Sequence, residues 1–74
     1  MQIIECVPNI SEGRRPAVIK EISQVVETIE GVKLLDVDPG AATNRTVITF
    51  VGEPQNVIDA AFLLIKKAIE ITRS

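Results

Sequence analysis

Asn9, Ser11, Glu12 and Arg14 fall within six residues, just ahead of an amphipathic stretch. Backbone N–H groups at the start of a helix attract anions, and an arginine there adds a two-pronged donor for a carboxylate or phosphate. The plainer alternative is a loop built of ordinary turn residues. Asp36 and Asp38 form a second cluster. On a strand their side chains share a face, because strand side chains alternate with period two. Two carboxylates so placed can bind a cation, hold a base in position, or raise one another's pKa. Otherwise they mark a strand leaving the core for solvent. Thr43, Asn44, Arg45 and Thr46 make the third cluster, across a turn and into the next strand. A cross-strand ion pair between Arg45 and Asp38 is its simplest reading. One hairpin carries the second and third clusters, so they must be neighbours. The first cluster meets them only if its strand ends at a matching edge of the sheet. Cys6 reads as a small buried hydrophobe.

What the chain lacks narrows the chemistry. There is no histidine, tryptophan or tyrosine, and one cysteine. A general acid or base drawn from these residues must therefore be a shifted carboxylate or lysine. A Ser-His-Asp or Cys-His nucleophile cannot be assembled, nor can a tetrahedral Cys/His zinc site. Eight Lys and Arg against ten Asp and Glu leave a net charge of −2. With no basic excess and no Tyr or Trp to stack on bases, nucleic acid is not an expected partner. One cysteine cannot form an internal disulfide, which fits a reducing compartment. The opening residues carry no basic n-region, and no apolar run approaches the roughly 18 residues of a membrane span. A cytoplasmic protein without membrane contact is the expectation. At 74 residues, 46% hydrophobic and 24% charged, the chain suits one small globular domain over 1–74.

The elements that must carry the clusters follow from periodicity. Gln2–Val7 reads as a strand ended by Pro8-Asn9. Ile10–Arg15 reads as a polar loop, and Pro16 opens a helix at a position that needs no N–H. Val18, Ile19, Ile22, Val25, Val26 and Ile29 then form a stripe at helical spacing, which Gly31 closes. Val32–Asp38 reads as a strand, residues 39–44 as a turn, and Arg45–Val51 as a strand with Ile48 and Phe50 on one face. Pro54 starts a second helix whose apolar face is read as Val57, Ile58, Ala61, Leu64, Ile65, Ala68 and Ile69, running to the chain end. The order β-α-β-β-α predicts an α+β fold. Two helices lie on one face of a three-stranded antiparallel sheet of order 1-3-2, an incomplete ferredoxin-like arrangement. Its first strand is left as an edge open to pairing.

Taken together, residues 5–14 (ECVPNISEGR) resemble the N-terminal signature of the formiminotransferase (glutamate formimidoyltransferase) domain. Residues 34–38 (LLDVD) and 43–52 (TNRTVITFVG) agree with it in order and spacing, so the likeness spans essentially the whole chain. The resemblance implies transfer of a formimidoyl group from N-formimidoyl-L-glutamate to tetrahydrofolate, the co-substrate, with no metal. It implies two α/β subdomains with substrate between them, of which residues 1–74 are the first part of the N-terminal one. It makes Asp38 the carboxylate that orients a histidine base. Asn9, Ser11, Glu12, Arg14, Asn44 and Arg45 become substrate-binding residues lining the cleft. The family's histidine lies in a His-Lys-Gly-Glu-His-Pro-Arg-like stretch beyond Ile71–Ser74. The 74 residues are therefore expected to be inactive alone, and whether they count as an enzyme turns on that histidine. Two other readings stand beside this one. The chain can be a module that binds folate or an acidic metabolite, or that pairs its open edge strand with another copy or a completing chain. It can also be a structural domain without activity.

Overall fold

The computed structural model describes residues 2–72, apart from the Thr72 side chain. The elements are β1 (Ile4–Cys6), β2 (Asn9–Ile10), α1 (Pro16–Glu27), β3 (Val32–Gly40), β4 (Arg45–Gly52) and α2 (Pro54–Thr72). The expected continuation of α2 across residues 73–74 lies outside the described residues. All strand pairs are antiparallel and centre on β4, which takes β1 and β2 on one side and β3 on the other.

The α+β class holds, with four strand segments where three were expected. Proline explains the extra one. The expected first strand continues past Pro8 and pairs with β4 in a single register: Cys6 opposite Phe50, then Asn9 opposite Val47. Ile48 N–H still donates to Pro8 O at 3.0 Å, but Pro8 has no N–H to return, so one rung of the ladder is missing. Ile10, expected in the loop, is therefore a strand residue and a buried part of the core.

β3 also departs from expectation. It runs on through Pro39 and Gly40, leaving the turn to residues 41–44. Opposite β4 its register slips by one residue between Leu34 and Asp36. Leu35 is the extra residue of a β-bulge, and it is 49% exposed. With strict alternation Val32, Leu34, Asp36 and Asp38 would share one face. The bulge reverses the parity, so Val32, Leu34 and Val37 pack on the core and both aspartates are exposed.

The core lies between the two helices and one face of the sheet. Phe50 and Ile48 of β4 are fully buried against Ile22 and Val26 of α1 and Val57, Ala60 and Leu64 of α2, and Thr46 of the same strand is fully buried as well. Fully burying side chains of this size stabilises by about 1.5–3 kcal/mol each before entropy is counted. Ser23 joins the buried face of α1 and bonds its hydroxyl to Lys20 O. α1 stops at Glu27, where Thr28 Oγ1 donates to Val25 O. Gly31, expected as the cap, lies farther on, with φ of 85°, and turns the chain into β3. In α2 the apolar face is wider than the core uses. Val57, Ala60 and Leu64 face inward, but Ile58, Phe62, Ile65 and Ile69 are all more than half exposed. The single apolar face expected for this helix is two faces. No helix among the described residues is long and apolar enough to cross a membrane.

Candidate functional site

The loop between β2 and α1 is tied to the β3–β4 turn by a set of specific bonds. Glu12, 6% exposed, accepts from the backbone N–H groups of Arg14 and Arg15 at 3.2 and 3.3 Å and from Arg15 Nε at 2.8 Å. Its Oε1 also lies 2.6 Å from Arg15 Nη2. The carboxylate thus fastens the loop just ahead of α1, whose N-cap residue Arg15 makes no side-chain capping bond. Arg15 holds the Glu12 carboxyl below the usual carboxylate range, chiefly through their side-chain hydrogen bond. Desolvation acts in the opposite direction, and the backbone bonds from Arg14 and Arg15 reinforce the lowering. From the other side, Thr46 Oγ1 donates to Glu12 O, Gly13 N–H to Asn44 Oδ1 at 3.0 Å, and Arg14 Nε to Ala41 O at 2.9 Å.

Two residues make this clasp sterically specific. Asn44 sits at φ 52°, a left-handed conformation that asparagine tolerates better than most residues. A Cβ at Gly13 would meet Arg45 O and Gly40 O at 2.5 Å, so the two loops can approach this closely only with glycine there. The first and third clusters are therefore neighbours. The loop reaches the hairpin tip because β2 runs along β4 as far as Thr46.

The helix-free face of the sheet is less committed. Asn9 and Asp38 both pair with Val47, one from each side, so one row across three strands reads Asn9, Val47, Asp38. Adjacent strands lie about 4.8 Å apart, placing the two polar residues roughly 10 Å apart. In the next row Asp36 is opposite Thr49, and on the other side Arg45 is opposite Gly40. Asn9, Asp36, Asp38 and Arg45 are all exposed. Ser11 is exposed just beyond β2, and Arg14 is exposed over the turn. Arg45 lies diagonal to Asp38 on the same face. The expected ion pair between them is not formed: those among the described residues are Arg15 with Glu12 and Lys67 with Glu21.

Of the residues singled out from sequence, the structure brings Asn9, Asp38 and Arg45 together on one face, with Ser11 and Arg14 at its rim. It directs Glu12 and Asn44 inward to the clasp. Thr46, a member of the third cluster, and Gly13, which was not singled out as a site residue, hold that clasp. Cys6 is half-buried against the core. A cleft of about 330 Å³ between α1 and β3, lined by Pro16, Ile19, Ser23 and Val37 among others, is on the helix side of the sheet and takes in none of the exposed row. Among the described residues no three His, Cys, Asp or Glu side chains converge as metal ligands.

This geometry is carried by the three motifs noted in the sequence, and comparison with known proteins bears on them. The family described as "Formiminotransferase domain, N-terminal subdomain" matches residues 3–72. The chain belongs to this family. It is 49% identical over 70 residues to a formimidoyltransferase-cyclodeaminase of Rattus norvegicus, covering 95% of this chain and 13% of the relative. A formimidoyltransferase-cyclodeaminase of Dictyostelium discoideum is 47% identical over the same shares. A glutamate formimidoyltransferase of Streptococcus pyogenes serotype M1 is 46% identical over 69 residues, or 93% of this chain and 23% of the relative. The chain thus spans less than a quarter of the length of these relatives. Formiminotransferase membership covers the whole fold described above, from β1 through α2.

Proposed function

We propose that these residues form one wall of a formimidoyltransferase site, in which a formimidoyl group passes from N-formimidoyl-L-glutamate to tetrahydrofolate. The observation that carries this reading is the row Asn9–Val47–Asp38 with Arg45 beside it, exposed polar groups held on a rigid sheet face. Both substrates end in glutamate carboxylates. Arg45, with Arg14 at the rim, offers guanidinium donors that take carboxylates two bonds at a time. Arg14 is steadied for this by its bond to Ala41 O. The amide of Asn9 can donate and accept toward the planar nitrogen-rich ring of a folate.

Moving an imidoyl carbon from one amine to another requires a proton to leave the incoming nitrogen and another to reach the departing one. None of the 74 residues is a histidine, and this reading assigns that proton to the histidine that the family resemblance implies. Asp38 suits the supporting role: a carboxylate at a strand position accepts an imidazole N–H, fixing the ring's tautomer and stabilising its charged form. Glu12 acts at one remove, by holding the loop that carries Ser11 and Arg14. The 74 residues are therefore expected to bind without turning over, in the cytoplasm and with no metal.

The test is a backbone-amide NMR titration of the chain with 5-formyltetrahydrofolate. Saturable shifts clustered at residues 9–14 and 38–45 support the reading. A folded protein whose spectrum does not move, or moves only at α2, overturns it. The second reading, a module whose first strand pairs with another chain, is favoured by a separate observation: nothing among the described residues pairs with the outer edge of β1 and β2.

A further inference from the structure

Asp36 shares the helix-free face with Asp38, downstream of the bulge at Leu35, and both are exposed. The rows they occupy differ. Asp38 lies opposite Val47, whose side chain has no polar atom. Asp36 lies opposite Thr49, which is half-buried and adds a hydroxyl to the row. The register that sets Cys6 against Phe50 and Asn9 against Val47 brings Val7 to the other side of Thr49, and Val7 is 46% exposed. The row Val7–Thr49–Asp36 therefore runs from an apolar side chain through a hydroxyl to a carboxylate. Bulges commonly adjoin sites, where they re-aim the side chains that follow.

Charge along this face has an order. Arg45, opposite Gly40, stands one row beyond Asp38 and two rows beyond Asp36. Successive rows on one face are about 7 Å apart, so Arg45 and Asp36 are separated by about 13 Å along the sheet. On the other side of Asp36 the nearest cation is Lys33, one row away opposite Val51 and exposed. Asp36 is in no ion pair with either among the described residues. It is a carboxylate with open acceptors on a rigid strand.

The formimidoyl group is an amidine. It is more basic than an amine, so at neutral pH it carries a delocalised positive charge, with its N–H groups in one plane as in a guanidinium. N-formimidoyl-L-glutamate thus has one cationic end besides its carboxylates, and arginines suit only the carboxylates. We propose that Asp36, with the Thr49 hydroxyl beside it, receives the formimidoyl cation of this substrate while Arg45 receives a carboxylate. Asp36 thereby distinguishes a formimidoyl group from a formyl group. This rests on reading the face as one wall of a transferase site. The long arginine stem covers much of the distance between the two rows, and the space left suits a compact substrate. A carboxylate accepts parallel N–H bonds from a planar cation of this shape. A formyl group puts a carbonyl oxygen where one of those N–H groups would be. That oxygen faces the carboxylate with no proton between them, so the lost bond and the repulsion both select against it. Asp38, one row nearer to Arg45, is kept for the imidazole that it steadies.

Backbone-amide NMR titrations of the full chain with N-formimidoyl-L-glutamate and with N-formyl-L-glutamate test the proposal, because the two differ only in an NH2 cation for an oxygen. The first should bind about tenfold more tightly, the worth of one charge-assisted bond, with shifts centred on residues 36–38 and 47–49. Asp36→Asn should remove that preference, chiefly by weakening the cation, and Asp36→Glu should keep part of it. Asp38→Asn should leave it in place. Equal affinities in the unsubstituted chain overturn the proposal. So does a preference that survives Asp36→Asn, or one that disappears with Asp38→Asn. Titration with 5-formyltetrahydrofolate keeps this result apart from the reading beneath it. Folate shifts at residues 9–14 without a formimidoyl preference refute the role of Asp36 alone. A folded chain that responds to none of the three compounds refutes the transferase wall, and the role of Asp36 with it.

Discussion

Glu12 and Asp38 are both carboxylates within the matched motifs, and the structure treats them in opposite ways. Glu12 is almost fully buried and its oxygens are filled by Arg14 and Arg15. Asp38 stands exposed on a flat strand, beside Val47 and across from Asn9, and is in no ion pair among the described residues. The clasp at the sheet's end and the row on its open face are adjacent, yet one has used its polar groups to hold itself together and the other has kept them. Occurrence in a motif therefore does not distinguish a residue that builds a site from one that touches what binds there. The distinction lies in how many hydrogen bonds each group has already made.

Substitutions can break this contrast or sharpen it. The largest loss of stability is expected from Gly13→Ala, since the new methyl group would collide with two backbone carbonyls that cannot swing aside. Forcing that contact should cost about 3 kcal/mol, measured by urea denaturation. Asn44→Ala comes next at about 2 kcal/mol, from the bond lost to Gly13 N–H and the strained φ. Asn44→Gly, which relieves the strain but not the bond, should lose about half as much.

A smaller effect is carried by pH. Because Glu12 titrates lower when folded than unfolded, its contribution is complete above the ordinary carboxylate range. It is lost progressively as pH falls through that range toward the folded value. Thermal unfolding between pH 7 and pH 3 should thus show an acid-side loss that Glu12→Gln reduces, and an undiminished loss in the variant would refute this role of Glu12.

Asp38→Asn and Arg45→Ala should leave stability within about 0.5 kcal/mol, as exposed positions usually do. On binding the ranking inverts. Arg45→Ala should weaken 5-formyltetrahydrofolate about tenfold, from one charge-assisted bond. Asp38→Asn should alter binding little. If Arg45→Ala instead unfolds the chain while Glu12→Gln abolishes binding, the contrast has been assigned the wrong way round.

Much of this was legible in the residues. The helical stripe of α1 buried Ile19, Ile22 and Val26 as its spacing foretold, and Ile48 and Phe50 of β4 share the inner face. The α+β class followed from the alternation of strand and helix periods, while the sheet has a fourth segment beyond the expected order 1-3-2. What escaped prediction was decided by tertiary pairing. Pro8 was taken to end a strand because it cannot donate, but the rung it loses is one among several, and the ladder resumes at Asn9. Pro39 likewise reads as a turn residue, yet it fits within β3, an edge strand where a missing donor is tolerated. In α2, periodicity marked the apolar positions without saying that two faces were present, because a pattern cannot reveal which half of a stripe meets its own core. For the candidate site, residue types indicated which side chains were chemically able, and the clasp of Glu12 and Asn44 depended on the close approach of loops more than thirty residues apart.

The bulge at Leu35 gives β3 two independent phases. Upstream of it the even-numbered positions serve the core, and downstream the odd-numbered position Val37 does, which frees Asp36 and Asp38 for the opposite side. Substitutions on either side of that point leave the other half undisturbed, so packing and chemistry can drift separately over generations. A deletion of Leu35 is the limiting case. Losing this half-exposed leucine would take the bulge out and leave Leu34, Asp36, Val37 and Asp38 opposite the same β4 residues, in strict alternation and on the faces they already occupy. At this one point the strand's length is independent of both its packing and its chemistry.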